Sequence, residues 1–209
     1  MTPKTTAGVR SAFATAAMVL VLLYAAVDVV LQLLPPHYSV ISDAESDLAV
    51  GPFGWAMNLN FLARAAMSGC VIVVVSLSYP ASRLRKIGAA LLAVAGLCSA
   101  ALVFAPTDVN APGEFGMTPH TTIGAVHVVF ATTGFIVVLT AMAMLTVWLR
   151  DLSRRRAPAV FLGIALAGLL LLAASLAWLP QVVGITERLC ILGILGWAFS
   201  LSAALRTGR

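Results

Sequence analysis

The chain has 209 residues, of which 61% are hydrophobic and 10% are charged, with a net charge of +5 and a mean hydropathy of +1.01. Soluble domains carry about 25% charged residues, so this composition excludes an ordinary soluble protein and indicates a membrane protein. The positive charge does not indicate nucleic-acid binding, because the basic residues flank apolar stretches and form no stripe with interleaved aromatic residues. Cys70, Cys98 and Cys190 lie within apolar stretches without metal-ligand spacing, so we interpret them as buried apolar residues.

Six apolar stretches are long enough to cross a hydrocarbon layer, which takes about 20 helical residues. The first has the charge order of a signal peptide, but it is longer and no small-residue cleavage site follows, so we interpret it as a retained span. Pro35-Pro36 ends it, because proline lacks an amide donor and restricts the residue before it. The sequence therefore predicts an all-α fold, a bundle of six transmembrane helices forming one domain over residues 1–209, with spans at about 11–34, 55–79, 89–105, 121–149, 159–179 and 187–204.

The basic residues predict the orientation of these spans. Eleven of the thirteen lysines and arginines lie at the termini or in the connections after spans two and four. Cytoplasmic loops carry an excess of such residues, which predicts a multi-pass protein of the plasma membrane with both termini cytoplasmic. Six of the eight acidic residues and all three histidines then lie at the outer face.

Two charged residues fall within spans, Asp28 in the first and Arg64 in the second. Intramembrane charges are costly unless they face the bundle interior and find a partner, so we expect Asp28 and Arg64 to form a buried pair. Between these spans lies an acidic loop. We interpret its Asp43 and Glu45 as a solvated face, with Ser42 and Glu45 as a capping box for a short interfacial helix.

Polar residues at the outer ends of the spans and in the outer loops form the candidate site. Carboxylates, a histidine and arginines at one depth suit a polar head group or acid and base chemistry. The candidate catalytic residues are His127, Asp47, Asp108 and Glu187, and the candidate ligand-binding residues are Asp28, Asn58, Arg64, Arg188 and Trp55.

Some of these residues also have an explanation that involves structure alone. Glu187 could serve only as an acidic residue at a helix start, and Asp108 could tie a turn through backbone amides. His120 and His127 share a helix face but lie about 10 Å apart, so they do not form a metal site by themselves. We predict no metal site, and the sequence indicates no particular cofactor.

Several short motifs occur in one order along the chain: Tyr38-Ser39 with the Ser42–Leu48 run, Trp55-Ala56-Met57-Asn58 with Phe61, Pro106-Thr107-Asp108, Gly124 with His127, and Glu187-Arg188-Leu189 with Trp197. In these motifs the chain resembles the family catalogued as domain of unknown function 998 (DUF998), six-span membrane proteins of bacteria and archaea. Where that family tends to have Ser-Glu-Leu, this chain has Ser46-Asp47-Leu48. The resemblance implies a topology and a set of matched positions, but no activity.

Three functions remain open at this point. The first is an outer-side pocket that binds a lipid or isoprenoid-like molecule and transforms it by proton transfer, with His127 or Asp47 as acid or base and Arg64 and Arg188 fixing an anionic group. The second is a small-solute or proton-coupled transporter, with Asp28 and Arg64 as a charge relay and a homo-oligomer completing the pathway. The third is a non-catalytic protein that binds a partner or organises lipids. The expected partner is a membrane lipid or a hydrophobic small molecule, and no nucleic acid.

Overall fold

A computed structural model describes residues 3–34, 38–111, 113–149 and 152–206 of the protein. The described residues form six long helices and no strand: α1 Pro3–Leu31, α2 Gly54–Ser76, α3 Arg83–Ala101, α4 Thr122–Trp148, α5 Leu152–Trp178 and α6 Val183–Arg206. All six are long and apolar enough to cross a membrane, so the predicted fold class is confirmed. Pro35-Pro36, the predicted end of the first span, and the histidine at position 37 lie outside the described residues.

Local capping fixes where two of the helices begin. The Ser82 hydroxyl accepts a hydrogen bond from the Arg85 amide at 3.1 Å, and the Thr121 hydroxyl accepts one from the Gly124 amide at 2.9 Å. Both are N-cap contacts that satisfy an otherwise unpaired amide. α5 begins earlier than the sequence predicted and runs through Pro158. The arginines before Pro158 favour helix, and the proline removes only one hydrogen bond.

Neighbouring helices pack to very different extents. α5 and α6 form the most extensive contact, and α4 and α5 the weakest among consecutive helices. Glycines allow the close approach of α5 and α6, because a Cβ atom at Gly168 would overlap the backbone of Cys190, and one at Gly193 would overlap that of Ala165. Because α5 packs closely on α6 and only weakly on α4, a gap lies between α4 and α5.

The two ends of the bundle differ in composition. We call one the loop end: it contains the described loop residues 38–53, 105–121 and 179–182, including a short 3-10 helix at Glu45–Ala49. The opposite end carries the α2–α3 connection and the arginines that begin α3 and α5. Which side of the membrane each end faces remains a prediction.

Candidate functional site

The acidic loop folds over the loop end and places Glu45 inside the bundle, with only 2% of its surface exposed. Glu45 Oε2 accepts a hydrogen bond from the Tyr24 hydroxyl at 2.8 Å, whereas Glu45 Oε1 is buried without a hydrogen-bond partner. The interpretation of Glu45 as a solvated or capping residue is therefore wrong. In a 3-10 helix residues three apart lie on one face, so Glu45 turns inward together with the buried Leu48.

Glu45 also supplies the negative charge nearest to Arg64. Nη1 of Arg64 lies 4.0 Å from Glu45 Oε2 and 3.4 Å from the Tyr24 hydroxyl oxygen. Nε of Arg64 donates to the Ser99 hydroxyl at 2.8 Å, and the guanidinium lies over the Phe61 ring at 5.4 Å. Four neighbours thus hold this intramembrane arginine in place.

Asp28 does not pair with Arg64, so that prediction was wrong. Its Oδ2 accepts a hydrogen bond from the Gln32 side chain at 2.6 Å, one helical turn along α1, and its Oδ1 is buried without a partner. The expectation considered only groups within spans. The loop residue Glu45 reaches the level of Arg64 and takes the place assigned to Asp28.

Of the two asparagines on α2, Asn60 is the one that faces inward. Its side-chain amide donates to the Tyr24 carbonyl at 3.1 Å, and Asn60 is only 3% exposed. Asn58 is half-buried, and Trp55 is 65% exposed at the surface of the bundle. Asn60 could have been found from the sequence, because it precedes Arg64 by four residues and therefore shares its helix face.

The start of α6 fastens the acidic loop. Glu187 is buried, and its Oε2 accepts a hydrogen bond from the Glu45 backbone amide at 2.7 Å. Arg188 donates through Nη1 to the carbonyls of Val40 and Asp43, at 3.2 and 3.1 Å, and through Nη2 to the Tyr38 hydroxyl. The interpretation of Glu187 as an acidic residue at a helix start is therefore wrong, because α6 begins four residues earlier, at Val183, and Glu187 instead accepts a hydrogen bond from the acidic loop. The guanidinium of Arg188 holds the same loop.

Asp108 ties the turn before α4. Its carboxylate accepts hydrogen bonds from the backbone amides of His120 and Thr121, each at 2.7 Å, and from the Thr121 hydroxyl at 2.8 Å. These hydrogen bonds, chiefly those from Thr121, lower the pKa of Asp108. The contacts match the structural interpretation of this residue.

His127 is buried on the first turns of α4, with Nδ1 2.7 Å from the Ala105 carbonyl oxygen. A carbonyl can only accept, so Nδ1 carries the proton in this contact. In the neutral ring Nε2 is then a hydrogen-bond acceptor.

Two cavities meet at the loop end. The larger, which we call the α4–α5 cleft, has a volume of about 600 Å³. Its polar lining lies at the loop end and includes Asp47, Asp108, Thr118, His127 and Glu187, while deeper in the bundle it is lined by apolar residues such as Phe135, Ile136, Leu169 and Leu172.

The smaller, which we call the central cavity, has a volume of about 70 Å³. Glu45, Arg64, Ser99, His127 and Glu187 line its polar part. His127 and Glu187 line both cavities, so the two spaces are neighbours across these side chains.

Two loop carboxyls at this junction are perturbed by burial. Desolvation, reinforced by the nearby charge of Glu187, raises the pKa of Asp47 to about 7. Desolvation, reinforced by Asp28 and opposed by Arg64, raises the pKa of Glu45 to about 8. Both groups can exchange protons near neutral pH.

The family model described as "Protein of unknown function (DUF998)" matches residues 18–204. The chain belongs to this family. Neither the comparison with curated proteins nor the comparison with solved structures gave a match. Family membership establishes an integral membrane protein of unknown function, so the activity of this DUF998 protein has to be argued from its cavities.

The structure brings some of the predicted site residues of the DUF998 chain together and leaves others apart. Asp47, Asp108, His127 and Glu187 line the α4–α5 cleft, and Arg64 joins His127 and Glu187 on the central cavity. Asp28, Asn58, Arg188 and Trp55 are not among the described residues that line either cavity. Within the described part of the chain, no group of three histidine, cysteine or acidic side chains is arranged to hold a metal ion.

Sequence reasoning missed Tyr24 and Ser99 as partners of Arg64. Tyrosine and serine are ordinary in apolar helices, and only the three-dimensional packing of α1 and α3 against α2 brings them to the guanidinium.

Proposed function

We propose that this protein binds an amphipathic molecule of lipid or isoprenoid type in the α4–α5 cleft. The apolar chain lies between the two helices, and the polar end lies against Asp47, His127 and Glu187. The observation that carries the proposal is the cleft itself, about 600 Å³ in volume, with polar residues at the loop end and apolar residues deeper in the bundle.

The dimensions of the cleft suit such a molecule. Ligand pockets commonly measure about 300–1,000 Å³. The lining residue Ile136 is fourteen residues beyond Thr122, where α4 begins, which corresponds to about 21 Å along the helix. That depth brings the apolar part of the cleft near the middle of a hydrocarbon layer about 30 Å thick.

The weak contact between α4 and α5 supports entry from the side. A molecule dissolved in the bilayer can pass between two loosely packed helices without leaving the hydrocarbon layer. With the loop end facing outward in the plasma membrane, the polar end of the ligand would lie at the level of the outer head groups.

The polar end of the cleft also has groups suited to proton transfer. The pKa of Asp47 is raised to about 7 by its burial, and Nε2 of His127 is a hydrogen-bond acceptor in the neutral ring because Nδ1 donates to Ala105. Acid and base work on a bound molecule needs groups that exchange protons near the operating pH. The molecule is bound first, and proton transfer acts on the bound molecule.

A native mass spectrum of the protein purified in a mild detergent tests the binding. We expect a retained mass in the wild type and its loss in Ala173→Trp, because the indole fills the cleft from α5. Ala177→Trp is the matched control, since Ala177 lies one turn further along the same helix, is exposed, and is not among the described lining residues. A mass retained equally by all three proteins, or by none, would contradict the proposal.

A second variant tests the polar end. His127→Asn keeps an amide that can donate to the Ala105 carbonyl but removes the Nε2 acceptor. We expect this variant to fold and to hold the retained mass more weakly than the wild type.

A transporter is the second candidate, and the central cavity favours it. This space adjoins the cleft and is lined as far as Val71, seventeen residues or about 25 Å beyond the start of α2. Uptake of a solute into vesicles driven by a proton gradient, and abolished by Glu45→Gln, would favour transport over simple binding.

A further inference from the structure

Building on the proposed function, we infer that the polar end of the ligand is a protonated amine, held where the α4–α5 cleft meets the central cavity, between Glu187 and Glu45.

The charges on the cavity walls favour a cation. The described residues that line the cleft include Asp47, Asp108 and Glu187, and no lysine or arginine. A phosphate or carboxylate at this position would meet like charges, which are unfavourable at short distance.

The guanidinium groups of the two arginines that were expected to bind an anion are occupied by contacts within the protein. Arg64 lies on the central cavity, where Ser99, Tyr24 and Glu45 surround its guanidinium. Arg188 is not among the described residues that line either cavity, and its guanidinium donates to the acidic loop. The expectation of an anionic head group therefore has no support from these contacts.

Glu45 provides an independent reason for a positive partner. It lines the central cavity, it is 2% exposed, and its Oε1 is buried without a hydrogen-bond partner. A buried carboxyl oxygen needs a donor or a proton. An ammonium group supplies both a positive charge and three N–H donors, whereas a hydroxyl supplies one donor and no charge.

Glu187 places a second carboxyl group on the same cavity. Its Oε2 is 2.7 Å from the Glu45 backbone nitrogen, and Glu187 lines both cavities. An ammonium group at the end of a chain in the cleft therefore reaches Glu187 first, and Glu45 lines the adjoining central cavity.

Three probes that each carry one dodecyl chain test the inference on the wild-type protein in a neutral detergent. They are dodecylammonium, dodecanol and dodecyl phosphate. Thermal unfolding reports binding, because a ligand that binds only the folded state raises the Tm. We expect dodecylammonium to bind about tenfold or more tightly than dodecyl phosphate. Non-specific attraction would favour the phosphate, since the net charge of the protein is +5.

Variants test which carboxyl groups cause the preference for dodecylammonium. We expect Glu187→Gln and Glu45→Gln to lose the preference for dodecylammonium, while Glu114→Gln, an exposed residue of the same end, keeps it. Equal or tighter binding of dodecanol or dodecyl phosphate to the wild type would overturn the inference and leave the proposed cleft intact, provided that Ala173→Trp abolishes that binding. Failure of all three probes to raise the Tm would overturn both.

Discussion

Replacing Glu45 with glutamine should make the stability of the folded protein less dependent on pH. Burial and the neighbouring acidic residues raise the pKa of Glu45 from its ordinary 4.5 to about 8. A carboxyl whose pKa is higher in the folded protein than in the unfolded chain binds its proton more tightly when folded. Its presence therefore lowers stability progressively as pH rises from 4.5 towards 8.

The magnitude follows from the two pKa values. One pKa unit corresponds to about 1.4 kcal/mol, so the ionisation of buried Glu45 costs about 3 kcal/mol of unfolding free energy at pH 7, and up to about 5 kcal/mol above pH 8. Glutamine keeps the size and the hydrogen-bonding capacity towards the Tyr24 hydroxyl but does not ionise.

Thermal unfolding in detergent between about pH 5.5 and pH 8.5 measures this effect. We expect the Tm of the wild type to fall by several degrees over that range and the Tm of Glu45→Gln to fall clearly less. Part of the decline should remain, because the pKa of Asp47 is raised to about 7 as well. Glu114→Gln, an exposed change of the same kind, should follow the wild type. Equal declines for Glu45→Gln and the wild type would refute the reasoning.

Three further changes probe the packing of the bundle. Gly168→Val should destabilise the protein by about 1–3 kcal/mol or more, because a Cβ there overlaps the backbone of α6, whereas Gly163→Val, with open space around it, should have little effect; comparison of their Tm values decides this. Arg188→Lys should leave the helices formed but loosen the acidic loop, since the lysine side chain has one nitrogen and cannot reproduce the planar guanidinium, whose two terminal nitrogens contact the Val40 and Asp43 carbonyls and the Tyr38 hydroxyl. Faster proteolytic cleavage within that loop would reveal it. Asp28→Asn should be tolerated while Arg64→Gln costs about 3 kcal/mol above pH 8, where the buried Glu45 is ionised and depends on the positive charge of Arg64; equal Tm losses for the two variants in thermal unfolding at that pH would contradict this assignment.

The helices could be predicted from the sequence because membrane spans depend on length and hydropathy, which are local properties. The first residues of α5 and α6 differ from the predicted ones, because residues outside the apolar stretches also form helix. α5 begins at Leu152, among arginines that favour helix, and α6 begins at Val183, before its first charged pair.

The site could be predicted only in part. His127, Glu187 and Asp47 were expected at one end because the alternation of spans brings them there, and they do line one cleft. The partner of Arg64 could not be found in this way, because it depends on the acidic loop, which lies outside the spans, folding back into the bundle. A pattern of charges along the chain does not distinguish an inward Glu45 from a solvated one; the short 3-10 helix decides it.

The central claim is that an amphipathic molecule occupies the α4–α5 cleft, and a high-resolution structure of the protein in lipid nanodiscs tests it most directly. We expect elongated density between α4 and α5, running from Ile136 to a polar end beside His127 and Glu187, and absent in Ala173→Trp. A cleft closed by direct packing of α4 on α5 in the wild type, with no such density, would contradict it.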